Sequence, residues 1–244
     1  MKMSFVNKRA NFTGTLAVLF ILGTLNGFAQ NYVPEEGSQE LTKKKQKVVE
    51  LDPNLPNVLI IGDSISIGYT SLVRTQLKGK ANVIHNPGNA LGTTRGLIKL
   101  KEWLGDTEWD VIHFNWGLHD LKHVTEAGKS SNDPNDPQQA ALPTYTANLK
   151  ILVKQLKAID AKLIFATTTP YPEGVKPCRL PEDAAKYNAA AVKIMKANNI
   201  QVNDLYNLAL PKLETLQKPA NVHFSKEGSK LLADQVAFII QSAL

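Results

Sequence analysis

The stretch from Asn57 to Gly68, NVLIIGDSISIG, places the strongest constraint on the fold. It opens with a short apolar and β-branched run, a pattern typical of a strand buried on both faces of a parallel sheet. The residues that follow, Gly62, Asp63 and Ser64, carry the chemistry of a turn and of a helix cap. The stretch therefore predicts a strand that leads directly into a helix, with a serine at the carboxyl end of the strand.

Ser64 has two interpretations. Ligands bind at the carboxyl ends of strands in open α/β sheets, and the amides that open the next helix can donate hydrogen bonds to a developing negative charge. On this basis Ser64 is a candidate nucleophile. The alternative is that Ser64 only caps the helix, as serine and aspartate often do at such turns.

The rest of the chain alternates between short apolar runs and amphipathic segments. Further strands are predicted at residues 81–85, 109–115, 162–167 and 201–203, and helices at 66–78, 95–104, 145–159, 182–198, 205–213 and 225–243. Such alternation implies right-handed crossovers and helices on both faces of the sheet. The predicted fold is an α/β, three-layer α/β/α sandwich with a central, mostly parallel five-stranded sheet. Residues 122–143 turn polar between these elements and predict a surface excursion near the site.

The amino-terminal segment predicts export. A basic head is followed by an uncharged, largely apolar run and by the small-residue exit Gly27-Phe28-Ala29, so residues 1–29 are predicted to be a signal peptide cleaved after Ala29. The alternative is a membrane anchor, although the apolar run is short for a span of about 20 residues. Residues 30–56 are predicted to be a linker or lead-in, and 57–244 a single domain. The expected protein is secreted or periplasmic, with no membrane association after cleavage.

Charge and cysteine content exclude several classes of function. Removing Lys2, Lys8 and Arg9 with the signal peptide lowers the formal net charge from +6 to +3, which is mild. Basic residues are neither interleaved with aromatic ones nor placed on a recognition helix, so no nucleic-acid partner is expected. Cys178 is alone and cannot form an internal disulfide or a cysteine metal site, and no metal or other cofactor is expected.

A histidine near the carboxyl terminus is the candidate base. A serine is a weak nucleophile at neutral pH and needs a neighbouring base. His223 lies in the loop before the last predicted helix, from which an imidazole can face the carboxyl ends of the strands. A capping or packing role for this histidine is the alternative. Asn89 and Asn115 lie near strand ends, where they could contact substrate, and Trp116 could form a pocket wall. His113 is predicted to be a core histidine, and His85 and His123 surface or loop residues.

Four blocks of the sequence, in order, resemble the SGNH or GDSL hydrolases, a family of esterases and deacetylases with a flavodoxin-like fold. The blocks are Gly62-Asp63-Ser64-Ile65, the loop around Gly92 (with Gly88 as a second possible register), Gly117-Leu118-His119-Asp120, and the segment that ends at His223. The likeness covers residues 57–244. It implies that Ser64 is the nucleophile and His223 the base. It also implies an oxyanion hole formed by Ser64, Gly92 and the residue at position 119.

The chain departs from this family at two positions. His119 stands where the family has the oxyanion-hole asparagine, and Ala220 where it has the aspartate that orients the base. Asn221 could orient the imidazole instead, as could a backbone carbonyl. His119 could also be the base itself, with His223 only packing. Asp63, beside the nucleophile, and Asn89 are further candidates for orientation or substrate contact.

The resemblance implies hydrolysis of a carboxylic ester through a serine acyl-enzyme. The polar excursion near the site favours a small acyl group on a hydrophilic carrier, so the predicted reaction is O-deacetylation of a small-molecule or glycan ester. One alternative is a lipase or lysophospholipase, which would need a long apolar groove. The other is a carbohydrate-binding relative whose hydrolase site has decayed.

Overall fold

The structure, a computed structural model, describes residues 51–244. The predicted signal peptide, 1–29, and most of the predicted linker lie outside the described residues. The five strands are β1 Asn57–Ile61, β2 Asn82–His85, β3 Val111–Phe114, β4 Lys162–Ala166 and β5 Gln201–Asn203. The helices are α1 Ser64–Gln76, α2 Thr93–Leu104, α3 Leu142–Leu156, α4 Pro181–Ala197, α5 Leu205–Ala209, α6 Leu213–Leu216 and α7 Lys226–Ala243, with a 3₁₀ turn Leu210–Lys212 between α5 and α6.

The strands form one sheet in the order β2-β1-β3-β4-β5, and every pairing is parallel. The strand order changes direction at β1, whose two neighbours are β2 and β3. In such sheets the crevice at the carboxyl ends beside this switch point is where ligands bind. The sheet thus places the residues that follow β1 and β3 at the predicted binding edge.

Two hydrophobic clusters cover the two faces of the sheet. Side chains of β1 alternate between them, because Leu59 and Ile61 pack with α2, α3 and α4, whereas Val58 and Ile60 pack with α1 and α7. Burial on both faces explains why β1 is apolar throughout. The predicted three-layer sandwich is confirmed, and most element bounds agree with prediction to within three residues.

Gly117 shows why the turn after β3 needs its glycine. Its φ of 152° is a conformation that L side chains rarely adopt, and a Cβ atom built there would lie 2.1 Å from Thr168 Oγ1. The backbone of this turn therefore packs directly against the segment after β4. Within residues 51–244, no helix combines the length and the apolar character needed to cross a membrane.

Candidate active site

Ser64 is the first residue of α1 and immediately follows the turn after β1. Asp63 is the N-cap residue, and its carboxylate accepts a hydrogen bond from the Ile65 amide at 2.9 Å. The Ser64 side chain is half-buried. Its amide belongs to the first helical turn, where N–H groups have no acceptor within the helix. Ser64 therefore offers a hydroxyl and an amide donor at the same place.

His223 faces Ser64 from the loop between α6 and α7. The Oγ atom of Ser64 lies 2.9 Å from Nε2 of His223. Buried Val222 and Phe224 flank the histidine and anchor the loop. The Gln217 side chain donates to the carbonyl of Val222 at 3.1 Å and to that of Pro170 at 2.7 Å. The loop is thus fixed to the core while its histidine stays accessible.

Asn221 fixes the tautomer of His223. The backbone N–H of His223 can only donate, so the Asn221 atom that it contacts at 2.9 Å is the carbonyl oxygen Oδ1. The same oxygen lies 2.8 Å from His223 Nδ1, which must carry a proton to form this hydrogen bond. A neutral imidazole carries one proton, so Nε2 remains an acceptor for the Ser64 hydroxyl. This is the arrangement that a general base requires.

The electrostatic surroundings favour neutral His223. Burial, and then the positive charges of Lys218 and Arg179, lower its pKa below the usual 6.5. Only a neutral imidazole can accept a proton from a hydroxyl, so the form of His223 present at pH 7 is the one that a general base requires.

Gly92 and His119, the other two expected oxyanion donors, lie on two other elements that follow strands of the sheet. Gly92 is the N-cap of α2 and is buried. His119 lies in the turn after β3, and its pKa falls to about 3 because of burial and the charges of Arg179, Lys122 and His223. The ring of His119 is therefore neutral at pH 7. It forms no hydrogen bond within residues 51–244, so one ring N–H remains available to a ligand.

Asn89 and Asp63 form local hydrogen bonds. Asn89 Oδ1 accepts from the Leu91 amide at 2.8 Å, which supports the positive φ of 51° at Leu91 just before Gly92. Burial raises the pKa of Asp63 to about 6, although the Ile65 amide and Arg179 act in the opposite direction. In this structure both residues shape the turns that carry the site.

Two positioning residues were not identified from the sequence. Asp120 is 1% exposed and accepts hydrogen bonds from both the amide and the hydroxyl of Thr93. Arg179, in the loop after β4, is 6% exposed and donates to the carbonyl of Leu118 at 2.8 Å and to that of Pro177 at 3.1 Å. The sequence signal for Asp120 was its place in the third block. Arg179 is a single arginine in a proline-rich loop, and nothing in the sequence signals its role.

A sequence model for the GDSL-like Lipase/Acylhydrolase family matches residues 60–231, which is more than half of the chain. The chain belongs to this family. The resemblance seen in the four sequence blocks is confirmed, and the chain is an esterase or acylhydrolase of the GDSL type. No curated protein matches it in sequence.

Solved structures share the GDSL fold. The lipase/acylhydrolase from Enterococcus faecalis has a TM-score of 0.64 at 20% identity and covers 77% of this chain and 96% of its own. The acetyl xylan esterase AlAXEase has a TM-score of 0.61 at 16% identity, covering 75% and 99%. Axe2, an acetylxylan esterase from Geobacillus stearothermophilus, has a TM-score of 0.61 at 20% identity, covering 76% and 93%. At these identities the likeness concerns the fold.

Predictions about two residues near the GDSL site, Trp116 and His85, were wrong. Trp116 is fully buried in the core beside Phe114 and does not form a pocket wall, because the turn after β3 packs its ring against Gly96 of α2. His85 is not a free surface residue, since its ring contacts Ser66 Oγ at 2.6 Å and the Asn86 carbonyl at 2.7 Å. His123 lies in a loop, as predicted, but is buried, with Nδ1 2.6 Å from the Asp136 carbonyl.

Two other polar side chains already have hydrogen-bond partners within the GDSL domain. Asn115 donates to the Ala166 carbonyl at 2.7 Å, which links β3 to β4. His113 is fully buried and contacts Asn203 through Nε2, and burial lowers its pKa to about 4. Among residues 51–244, no three His, Cys, Asp or Glu side chains group in a way that could hold a metal ion.

Proposed function

We propose that this GDSL family member is a secreted serine esterase that hydrolyses carboxylic esters through an acyl-enzyme, and that it acts as an O-acetyl esterase on a carbohydrate. The observation that carries the proposal is the alignment of Ser64 Oγ, His223 and Asn221. Two consecutive hydrogen bonds, of 2.9 and 2.8 Å, join them through the two ring nitrogens.

Acylation begins at Ser64. As Oγ attacks the ester carbonyl carbon, Nε2 of His223 takes its proton, and the carbonyl oxygen becomes an oxyanion. The amides of Ser64 and Gly92 and a ring N–H of His119 donate to that oxygen. Collapse of the intermediate breaks the bond to the alkoxy oxygen, and the leaving alcohol takes the proton from His223. The acyl group then remains on Ser64.

Deacylation repeats the sequence with water. His223 removes a proton from a water molecule that attacks the acyl carbon, and the proton returns to Oγ when the carboxylic acid leaves. Asn221 holds the imidazole throughout but is neutral, so it stabilises the transient imidazolium less than a carboxylate would. The positive charges of Arg179 and Lys218 disfavour imidazolium and favour the oxyanion. The mechanism therefore depends on oxyanion stabilisation more than a complete triad does.

The polar excursion of residues 122–143 favours a short acyl group on a hydrophilic carrier. The polar excursion is held beside the site by Cys178, whose carbonyl accepts from the His123 amide at 3.0 Å. Two of the structural neighbours are named acetylxylan esterases. Secretion rests on the sequence of residues 1–29.

The first test is acetate release from a panel of acetylated glycans, together with a chain-length series of nitrophenyl esters. We expect turnover of acetylated glycans and of the acetyl ester, with a steep decline for long acyl chains. Preference for long chains would support a lipase instead.

Labelling of Ser64 by a fluorophosphonate, lost in Ser64→Ala and retained in the exposed-site control Ser71→Ala, separates an active enzyme from a decayed site.

A further inference from the structure

Arg179 is a buried cation that forms no ion pair within residues 51–244, although the Asp63 carboxyl lies within electrostatic range. Within these residues its guanidinium bonds only to the Leu118 and Pro177 carbonyls, through Nε and Nη1. Its Nη2 donates no hydrogen bond to these residues. Burying a charge without its counter-charge is costly, so such a group is expected where an anion binds. A guanidinium also suits a carboxylate, which it can bind through paired hydrogen bonds.

Arg179 lies within electrostatic range of the reacting groups. Its charge acts on Asp63, His119 and His223, and lowers the pKa of each. Leu118, whose carbonyl it binds, directly precedes His119. The guanidinium is thus fixed beside the turn that supplies the proposed oxyanion donor.

Lys218 adds a second cation, in the same loop as His223. Its amide donates to the His223 carbonyl at 3.2 Å, and its carbonyl accepts from the Asn221 amide at 3.2 Å. The side chain of Lys218 is exposed and forms no ion pair within residues 51–244. Among those residues, the charges that act on His119 are those of Arg179, Lys122 and His223, and the charges that act on His223 are those of Lys218 and Arg179.

We propose that Arg179 and Lys218 form an anion subsite beside Ser64, and that the enzyme selects esters whose carrier bears a carboxylate next to the acylated hydroxyl. Acetylated sugars that contain a uronic acid are carriers of this class. The proposal rests on the proposed esterase function and specifies its substrate. Complementary charge at the entrance of a site raises both the rate of encounter and the occupancy of the bound state.

The test uses two fluorophosphonates that differ only in one arm, which ends in a carboxylate in one probe and in a carboxamide in the other. We expect the native protein to react several-fold faster with the carboxylate probe. Lys218→Gln should reduce the ratio of the two labelling rates by about threefold to tenfold, as expected for the loss of one charge in a partly solvated site. The ratio should also fall in 0.5 M salt. The matched control Lys193→Gln, an exposed lysine on α4, should leave it unchanged.

Arg179→Lys and Arg179→Met provide a second comparison. Lysine keeps the charge, so most of the carboxylate preference should survive, whereas methionine should reduce it strongly and leave only the part due to Lys218. If either variant fails to fold, Lys218→Gln still decides the question. Equal labelling by both probes in native protein overturns the subsite.

Matched methyl glycosides of O-acetyl glucuronic acid and O-acetyl glucose separate this inference from the proposed function. Higher kcat/KM on the glucuronide supports both. Equal turnover of the two glycosides overturns the subsite alone and leaves the esterase intact. A carboxylate preference of the probes without any release of acetate supports the subsite and overturns deacetylation. Absence of labelling by both probes overturns both proposals.

Discussion

Asp120 accepts hydrogen bonds from both the amide of Thr93, at 2.8 Å, and the hydroxyl of Thr93. Asp120 directly follows His119, and Thr93 directly follows Gly92. One buried carboxyl group therefore joins the two elements that carry two of the three proposed oxyanion donors. The distance between these donors is set by this contact and not by either loop alone.

The first prediction concerns the pH dependence of stability at Asp120. Burial raises the pKa of this carboxyl to about 7, well above its usual 3.8, although the hydrogen bonds from Thr93 oppose the shift. The folded state therefore holds the proton more tightly than the unfolded state, and stability falls as pH rises from about 4 to 7. Asp120→Asn should flatten this decline, because asparagine does not ionise.

Urea unfolding at a series of pH values between 4 and 8 measures this effect. Part of the slope should remain in Asp120→Asn, because the pKa of Asp63 is also raised, to about 6. The exposed Asp106→Asn serves as the control and should keep the native slope. An unaltered slope in Asp120→Asn would show that this carboxyl is ionised in the folded protein at low pH.

The second prediction is that Ser64 and His223 act as a unit. Each participates in the same proton transfer across the 2.9 Å contact, so Ser64→Ala or His223→Ala should lower kcat by roughly 10³-fold or more. The double variant should be little worse than either single one. Steady-state kinetics on a nitrophenyl acetate decide this, and additive losses in a folded double variant would exclude the pair.

The third prediction concerns Asn221. A carboxylate in its place would stabilise the imidazolium of His223, so Asn221→Asp should raise the pKa of His223 and also kcat. In the native enzyme the lowered pKa should keep kcat/KM high to below pH 6.5, and the rate should fall only as His223 becomes protonated. In Asn221→Asp the acidic limb of the pH–rate profile should move to higher pH, by about one pH unit.

Asn221→Ala provides the opposite comparison. It removes the acceptor that fixes Nδ1, so kcat should fall while the fold persists. An acidic limb that stays in place in Asn221→Asp would mean that a group other than His223 governs the profile.

The fourth prediction distinguishes the roles of His119 and His223. If His119 donates to the oxyanion, His119→Asn should retain much of the activity, because an amide N–H can take the same role. His119→Ala should lose roughly 10²–10³-fold in kcat, the usual effect of removing one such donor. Asparagine cannot accept the serine proton. An inactive His119→Asn beside an active His223→Ala would therefore reverse the assignment of the two histidines.

The fold was predictable because its signals are local. The five apolar runs that became strands, and the helices between them, follow from periodicity and from turn residues that act over a few positions. The place of Ser64 at the end of β1 was predictable for the same reason. Its distance from His223 became visible only in the folded chain.

The supporting residues of the site were harder to predict, because their roles depend on contacts between distant segments. Arg179 bonds to Leu118, 61 positions earlier, and Asp120 to Thr93, 27 positions earlier. No periodicity or spacing signals such pairs. Trp116 was misplaced for a related reason, since its burial depends on how the turn after β3 packs against α2.

The two proposed reacting residues belong to one pair of packed helices. Ser64 opens α1, and His223 lies three residues before α7. Tyr69 and Val73 of α1 share a core with Val236 and Ile240 of α7, and the Gln76 side chain donates to Asp234 at 2.8 Å. The distance between Ser64 Oγ and His223 Nε2 is therefore maintained by the buried contacts between α1 and α7. The loops at the edge of the sheet can change, and with them the ester that binds, while the contacts between α1 and α7 keep Ser64 and His223 in place. A substitution among these buried contacts would therefore lower activity without contacting the substrate.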